Sequence, residues 1–199
     1  MKAEIISTGN ELLEGKVRER NASVAASGLW QIGLSVDRIV VVSDGLESIR
    51  QAVAEALLRS DVVIVSGGLG PTEDDRTAEA VATATGLKLE LDERGVGELK
   101  KRFEALGLSW TENQARQMRF PQGARPIANP RGTAPGFELE HGGRWIFCMP
   151  GPPGEFKPMF TGPVLERLRG IAASAGAAAE SLVLRAFGVG EGHLQDMLR

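Results

Sequence analysis

A chain of 199 residues with 42% hydrophobic and 25% charged side chains has ordinary globular composition and is long enough to bury a substantial core. Its formal net charge of -3 and pI near 5.6 argue against a dedicated nucleic-acid surface, and no apolar run approaches the roughly 20 residues that span a bilayer. With one cysteine, Cys148, and only His141 and His193, an internal disulfide and a Cys/His zinc site are excluded, so any metal would be held by oxygen.

The chain enters its first strand at once, without the pattern of a signal peptide, and a cytoplasmic location is the expectation. Residues 3–7 form that short apolar strand. Residues 21–32 carry Val24, Ala25, Leu29 and Ile32 at helical spacing, and Gly33 stops them. A second strand spans 36–42, and the turn Ser43-Asp44-Gly45 leads into a helix over 46–59 with Ile49, Val53, Ala56 and Leu57 on one face. Residues 61–66, "DVVIVS", have no polar alternation and read as a strand buried on both faces; a helix follows from Thr77. Strands alternating with helices at this spacing predict an α/β fold with a mostly parallel sheet covered on both sides.

From Leu91 the pattern changes. "DERGVGELKKRFEALG" reads as a charged amphipathic helix, and "SWTENQARQM" begins another with Thr111 as N-cap. Proline and glycine then break up the chain, and Gly142-Gly143 predicts a hairpin between 137–140 and 144–149. A glycine- and proline-rich loop, 150–154, precedes a helix over 155–168. Beyond Arg169 the alanine- and glycine-rich stretch reads as a linker, with a new strand at 182–187 and a helix start at Glu191.

The chemistry concentrates in the loops that follow strands, where open α/β folds place ligands. Gly67, Gly68 and Gly70 let the backbone approach an anion closely, and the helix from Thr77 adds its positive end. Glu73, Asp74 and Asp75 would repel a bare phosphate unless a cation lies between them, so the pattern fits a metal-bridged phosphoryl or diphosphate ligand. The same acids could instead cap the helix and complement its dipole, and Asp44 could be a simple turn residue. Gly9, Asn10 and Glu11 follow the first strand and belong to the same edge, as does the 151–155 loop with Gly151 and Glu155. Arg116, Arg119 and Arg131 could pair with phosphates or be solvated. Trp30, Trp110 and Trp145 read as core or interface residues, and Cys148 as inert packing. Neither the common P-loop nor a Rossmann fingerprint is present.

Four stretches, "STGNELLEGKVRERN", "SGGLGPTEDDRT", "ENQARQMRFPQGARPIANPRGTAPGF" and "MPGPPGEFKPMF", in this order and spacing resemble the amino-terminal domain of the CinA competence/damage-inducible family. That domain belongs to the molybdopterin-binding, MoaB/MogA-like superfamily. The resemblance covers about residues 1–170; residues 171–199 are similar to a linker and the start of a middle domain, so the nicotinamide mononucleotide deamidase domain of full-length members is expected to be missing. It implies a three-layer αβα sandwich and metal-dependent hydrolysis of ADP-ribose to AMP and ribose 5-phosphate. It further implies a divalent cation (magnesium, manganese or cobalt, with potassium as an accessory ion), a homodimer and a small-molecule nucleotide substrate. By motif match Asp75 takes the place of the acid in the superfamily signature and Asp44 that of the acid after the second strand; Leu69 stands where that signature has threonine. On this footing Asp44 and Asp75 are the expected catalytic acids and, with Asp74, the metal ligands, while Gly9, Asn10, Glu11, Gly67, Gly68, Gly70, Thr77, Gly151 and Glu155 bind substrate. A molybdopterin nucleotidyltransferase and a non-catalytic nucleotide- or pterin-binding module are the rival readings.

Overall fold

A computed structural model describes residues 1–176 and 187–197. Its elements are β1 (Lys2–Thr8), α1 (Asn10–Leu13), α2 (Asn21–Gln31), β2 (Ser35–Val42), α3 (Leu46–Arg59), β3 (Val62–Ser66), α4 (Thr77–Thr85), β4 (Leu89–Leu91) and α5 (Glu93–Ala105). After a 3-10 turn (Glu112–Met118) come β5 (Arg119–Pro121), β6 (Arg125–Ile127), β7 (Gly136–His141), β8 (Arg144–Met149), α6 (Pro153–Met159), a π-type turn (Phe160–Val164), α7 (Leu165–Ser174) and α8 (Glu191–Met197).

The main sheet has the order β2-β1-β3-β8-β7-β6, with β4 and β5 forming a separate antiparallel pair. β1 pairs in parallel with β2 and β3, and β3 with β8; β7 runs antiparallel to both neighbours. β3 lies between two parallel partners and all five of its residues are buried, as its unbroken apolar run requires. Because successive side chains alternate across a strand, Val62 and Ile64 pack with α2, α6 and α7 on one face, and Val63 and Val65 with α3, α4 and α5 on the other. The result is the expected three-layer αβα sandwich.

One buried charge is compensated inside this frame. Glu4 on β1, 1% exposed, accepts two hydrogen bonds from the Arg59 guanidinium, at 2.9 Å from Nε and 2.8 Å from Nη2. Burial alone would disfavour the carboxylate, and the bidentate guanidinium offsets it. The Glu4 contact in turn raises the Arg59 pKa.

Two expectations change in detail. Residues 112–118 form a tight 3-10 turn instead of an α-helix, and the Thr111 hydroxyl makes no capping bond. The segment ends where the chain turns into β5 at Arg119 to pair with β4, and 3-10 turns commonly serve as such connectors. The helix expected over 155–168 starts at Pro153 and extends to Ser174, but is interrupted over 160–164, where Pro163 lacks an N–H and Gly162 leaves helical geometry. The Gly142-Gly143 hairpin forms as read, both glycines taking positive φ of 57° and 75°, as a type I′ turn demands. The strand read over 182–187 falls almost wholly outside the described residues; the helix start at Glu191 is present.

Candidate active site at the carboxyl edge of the sheet

β1, β2, β3 and β8 are parallel, so their carboxyl ends, Thr8, Val42, Ser66 and Met149, lie along one edge. β1 feeds β2 on one side, and the chain then crosses to β3 on the other, so the strand order switches between β1 and β3. Open α/β sheets bind ligands at that switch. A cleft of about 390 Å³ opens there, within the size range of small-molecule sites. It draws together the first loop (Thr8, Glu11), the second (Asp44), the glycine loop after β3 (Gly67, Gly68, Gly70, Asp74, Asp75) and the loop after β8 (Gly151, Glu155). The two glycine- and proline-rich loops, far apart in sequence, therefore share one site.

The glycine loop is shaped by its own hydrogen bonds. Gly67 and Gly68 have φ of 109° and 66°, which disfavour any side chain. The Gly67 N–H donates to the Met149 carbonyl (2.9 Å), and the Gly67 carbonyl accepts from the Thr77 hydroxyl (2.8 Å). Thr77 is wholly buried, so it fixes the loop from beneath and is not among the cleft-lining residues. Among the described residues, the N–H groups of Gly68, Leu69 and Gly70 donate to no protein acceptor, although all three residues line the cleft. Successive free amides in such a turn make an anion-binding concavity. Leu69, in place of the signature threonine, is 7% exposed and anchors this turn to the hydrophobic layer below.

The acids are held by neighbours. Asp75 Oδ2 accepts from the backbone N–H (2.9 Å) and the hydroxyl of Thr72, closing the loop onto itself. Glycine at position 70 leaves room for this carboxylate, since a Cβ there would lie 2.6 Å from Asp75 Oδ2 and force it to shift. Asp44 Oδ2 accepts from the Asn10 N–H (2.8 Å), and Asn10 Oδ1 accepts in return from the Asp44 N–H (3.4 Å). Asn10 thus holds Asp44 without lining the cleft, Gly9 donates its N–H to the Val42 carbonyl (3.1 Å) and does not line it either, and Glu11 reaches the lining. Asp44, Asp74 and Asp75 share the cleft, yet among the described residues no three His, Cys, Asp or Glu side chains converge into a metal cage.

Among the described residues, no lysine or arginine lines the cleft. Arg116, Arg119 and Arg131 lie outside it, so the sequence-level idea that they meet a phosphate finds no support in their placement. Trp110 packs edge-on against Phe103, Trp145 stacks near Phe147, and Trp30 is 54% exposed. Burial pushes the Cys148 thiol well above its ordinary pKa, consistent with inert packing.

Sequence reading missed several lining residues. The Thr8 hydroxyl is buried with no partner, an orphaned polar atom at the cleft floor. Gln117 and Thr133 line the cleft from the proline-broken region. Nothing in their local spacing marks them; only the tertiary fold brings residues 117 and 133 to the edge made by β1, β3 and β8.

A family model described as "Probable molybdopterin binding domain" matches residues 4–170. A CinA-like protein of Myxococcus xanthus is 43% identical over 169 residues, covering 85% of this chain and 40% of that protein. One of Anaeromyxobacter sp. is 40% identical over 199 residues, covering 100% of this chain and 48% of that protein. The chain thus spans about half the length, or less, of these curated relatives. The crystal structure of the protein CinA, of unknown function, from Thermoplasma acidophilum is 37% identical with a TM-score of 0.78, covering 84% of this chain and 97% of that one. The molybdopterin biosynthesis enzyme MoaB of Thermus thermophilus shares the fold, with TM-score 0.56 at 15% identity, covering 87% and 96%. On the family match and the CinA relatives together, the chain belongs to the molybdopterin-binding domain family and, within it, to the CinA-like proteins.

Proposed function

We propose that this chain hydrolyses the diphosphate of a nucleoside diphosphate sugar, ADP-ribose above all, to AMP and ribose 5-phosphate. The observation that supports it most is that, among the described residues, three loop amides without a protein acceptor face acids in a cleft lined by no cationic side chain. The amides of Gly68, Leu69 and Gly70 would receive phosphoryl oxygens, and Gly151 lines the same cleft from the loop after β8.

The donor set fits a hard divalent cation held by Asp44 and Asp75, with Asp74 or Glu11 within the same cleft. Magnesium is commonly held by only one or two carboxylates, with substrate phosphates and water completing its shell, so a three-acid cage is not needed. Bound there, the ion would supply charge stabilisation at the diphosphate. The protein's own part is to orient a water against one phosphorus and accept its proton on a carboxylate. The new P–O bond forms as the bond from that phosphorus to the bridging oxygen breaks, and the bridging oxygen leaves with the other phosphate. Fixed amides would stabilise the charge that grows on the phosphoryl oxygens.

Self-association through the 99–110 segment belongs to the same proposal. It would use Leu106 and Leu108, 58% and 50% exposed, since Leu99 and Phe103 are already buried within the chain.

A substrate screen tests the function. Purified chain is incubated with ADP-ribose and related dinucleotides, with and without divalent metals, and in parallel with ATP and molybdopterin; products are separated by chromatography. AMP and ribose 5-phosphate are expected from ADP-ribose. An adenylylated pterin with ADP-ribose untouched would replace this reading with the nucleotidyltransferase one.

A further inference from the structure

The cleft has a wall that the reaction as described does not use. Gln117 is 4% exposed, and its Oε1 accepts from the Thr133 hydroxyl at 3.1 Å, while its Nε2 donates to Gln114 Oε1. Among the described residues, one amide N–H of Gln117 and the acceptor lone pairs of Thr133 remain unused, on two residues that line the cleft. At the cleft wall this donor and these acceptors are placed where a bound ligand can use them.

The strap that carries Thr133 is held with no polar capacity to spare. Asn129, 3% exposed, accepts on Oδ1 from the N–H groups of Arg131 (3.0 Å) and Gly132 (2.8 Å). Its Nδ2 donates to the Ala134 carbonyl (2.8 Å) and to Glu155 Oε2 (2.7 Å). Glu155 comes from the other side of the site, in the first turn of α6, so this one amide ties the strap to the loop after β8. At Gly132 a Cβ would sit 2.0 Å from Glu155 Oε2, so the approach of strap and carboxylate needs glycine there.

We propose that Gln117 and Thr133 determine specificity by holding a ribose hydroxyl of the ligand, and that Glu155, through Asn129, is the positioning residue for that wall. The inference rests on the reading of the cleft as a diphosphate site. Among the described residues, no cation lines the wall to suit a second phosphate, and no aromatic side chain offers a base a face to stack upon. A sugar hydroxyl does suit it: the hydroxyl oxygen accepts from the Gln117 N–H and its hydrogen is donated to Thr133 Oγ1.

The test compares steady-state kinetics on ADP-ribose with inhibition by inorganic pyrophosphate, which has no ribose. Thr133→Val and Gln117→Leu should each raise KM about tenfold, the effect of one hydrogen bond, with kcat within about twofold and pyrophosphate inhibition unmoved. Thr133→Ser should restore wild-type KM, which excludes misfolding as the cause. Glu155→Ala should raise KM alike, and Glu155→Gln, which can still accept from Asn129, should rescue most of it. Inhibition by AMP and by ribose 5-phosphate tells which ribose is held, since only one of them should weaken. Unchanged KM in both wall variants, or pyrophosphate weakened as much as ADP-ribose, would overturn the pair and leave the diphosphate reading intact. An unmodified chain that neither binds nor hydrolyses ADP-ribose would take down both.

Discussion

Replacing Asp75 by asparagine separates chemistry from architecture. Asp75 Oδ2 accepts two hydrogen bonds from Thr72, one from its N–H and one from its hydroxyl. Bonds to an ionised acceptor contribute about 1.5–3 kcal/mol and those to a neutral one about 0.5–1.5, so asparagine should weaken each by about 1 kcal/mol. Half-exposure reduces the total toward about 1 kcal/mol, a fall in Tm of roughly 2–4 °C for a chain of this size. The asparagine carbonyl still accepts from Thr72, so the loop should persist. Loss of the charge at the site should instead lower kcat by about 100- to 1,000-fold. Steady-state hydrolysis of ADP-ribose beside a thermal melt gives both numbers. If Asp75 only closes the loop, the melt would shift as stated while turnover stays at wild type, and that result would refute its catalytic role.

Three further outcomes follow from the packing. Arg59→Met strands the Glu4 carboxylate, 1% exposed, and should cost about 3 kcal/mol in urea unfolding; Glu4→Leu combined with Arg59→Met should recover most of it, and equal losses in single and double variants would contradict the account. Gly67→Ala imposes φ of 109° on a side chain whose Cβ would lie 2.5 Å from Thr8 Oγ1 and 2.7 Å from the Thr8 carbonyl. Its melt should fall further than that of Gly123→Ala, where φ is 83° but nothing lies within 4 Å, and pyrophosphate inhibition should be lost only in the former. Cys148, whose thiol is held protonated by burial, should resist alkylation at mildly alkaline pH in the native chain and react at once in denaturant; rapid labelling without denaturant would show that β8 opens.

The layers were legible because they depend on local pattern. The short, β-branched run "VVIV" reads as a strand buried on both faces, and Ile49, Val53 and Ala56 recur on the buried face of α3. The sharing of one edge by the Gly67 and Gly151 loops could also be inferred, since both follow strands of a parallel sheet. What could not be read was tertiary. The partner of Asp75 is Thr72, three residues away, but that of Asp44 is the Asn10 backbone, and no spacing announces it. Thr77 reads as a ligand-facing helix start, yet its hydroxyl turns inward to the Gly67 carbonyl. Gln117 and Thr133 sit in a stretch whose prolines and glycines conceal periodicity, so only the folded chain shows that they meet.

The central claim is that the acid- and glycine-lined edge cleaves a diphosphate with the help of a divalent cation. Phosphorus NMR of ADP-ribose with the purified chain tests it most directly, first with magnesium or manganese at sub-broadening levels, then with excess chelator. The account predicts that the diphosphate signals give way to two phosphomonoester signals, those of AMP and ribose 5-phosphate, and that chelator stops the conversion. Diphosphate signals that persist with every divalent metal, or a conversion that runs at full rate in chelator, would contradict it.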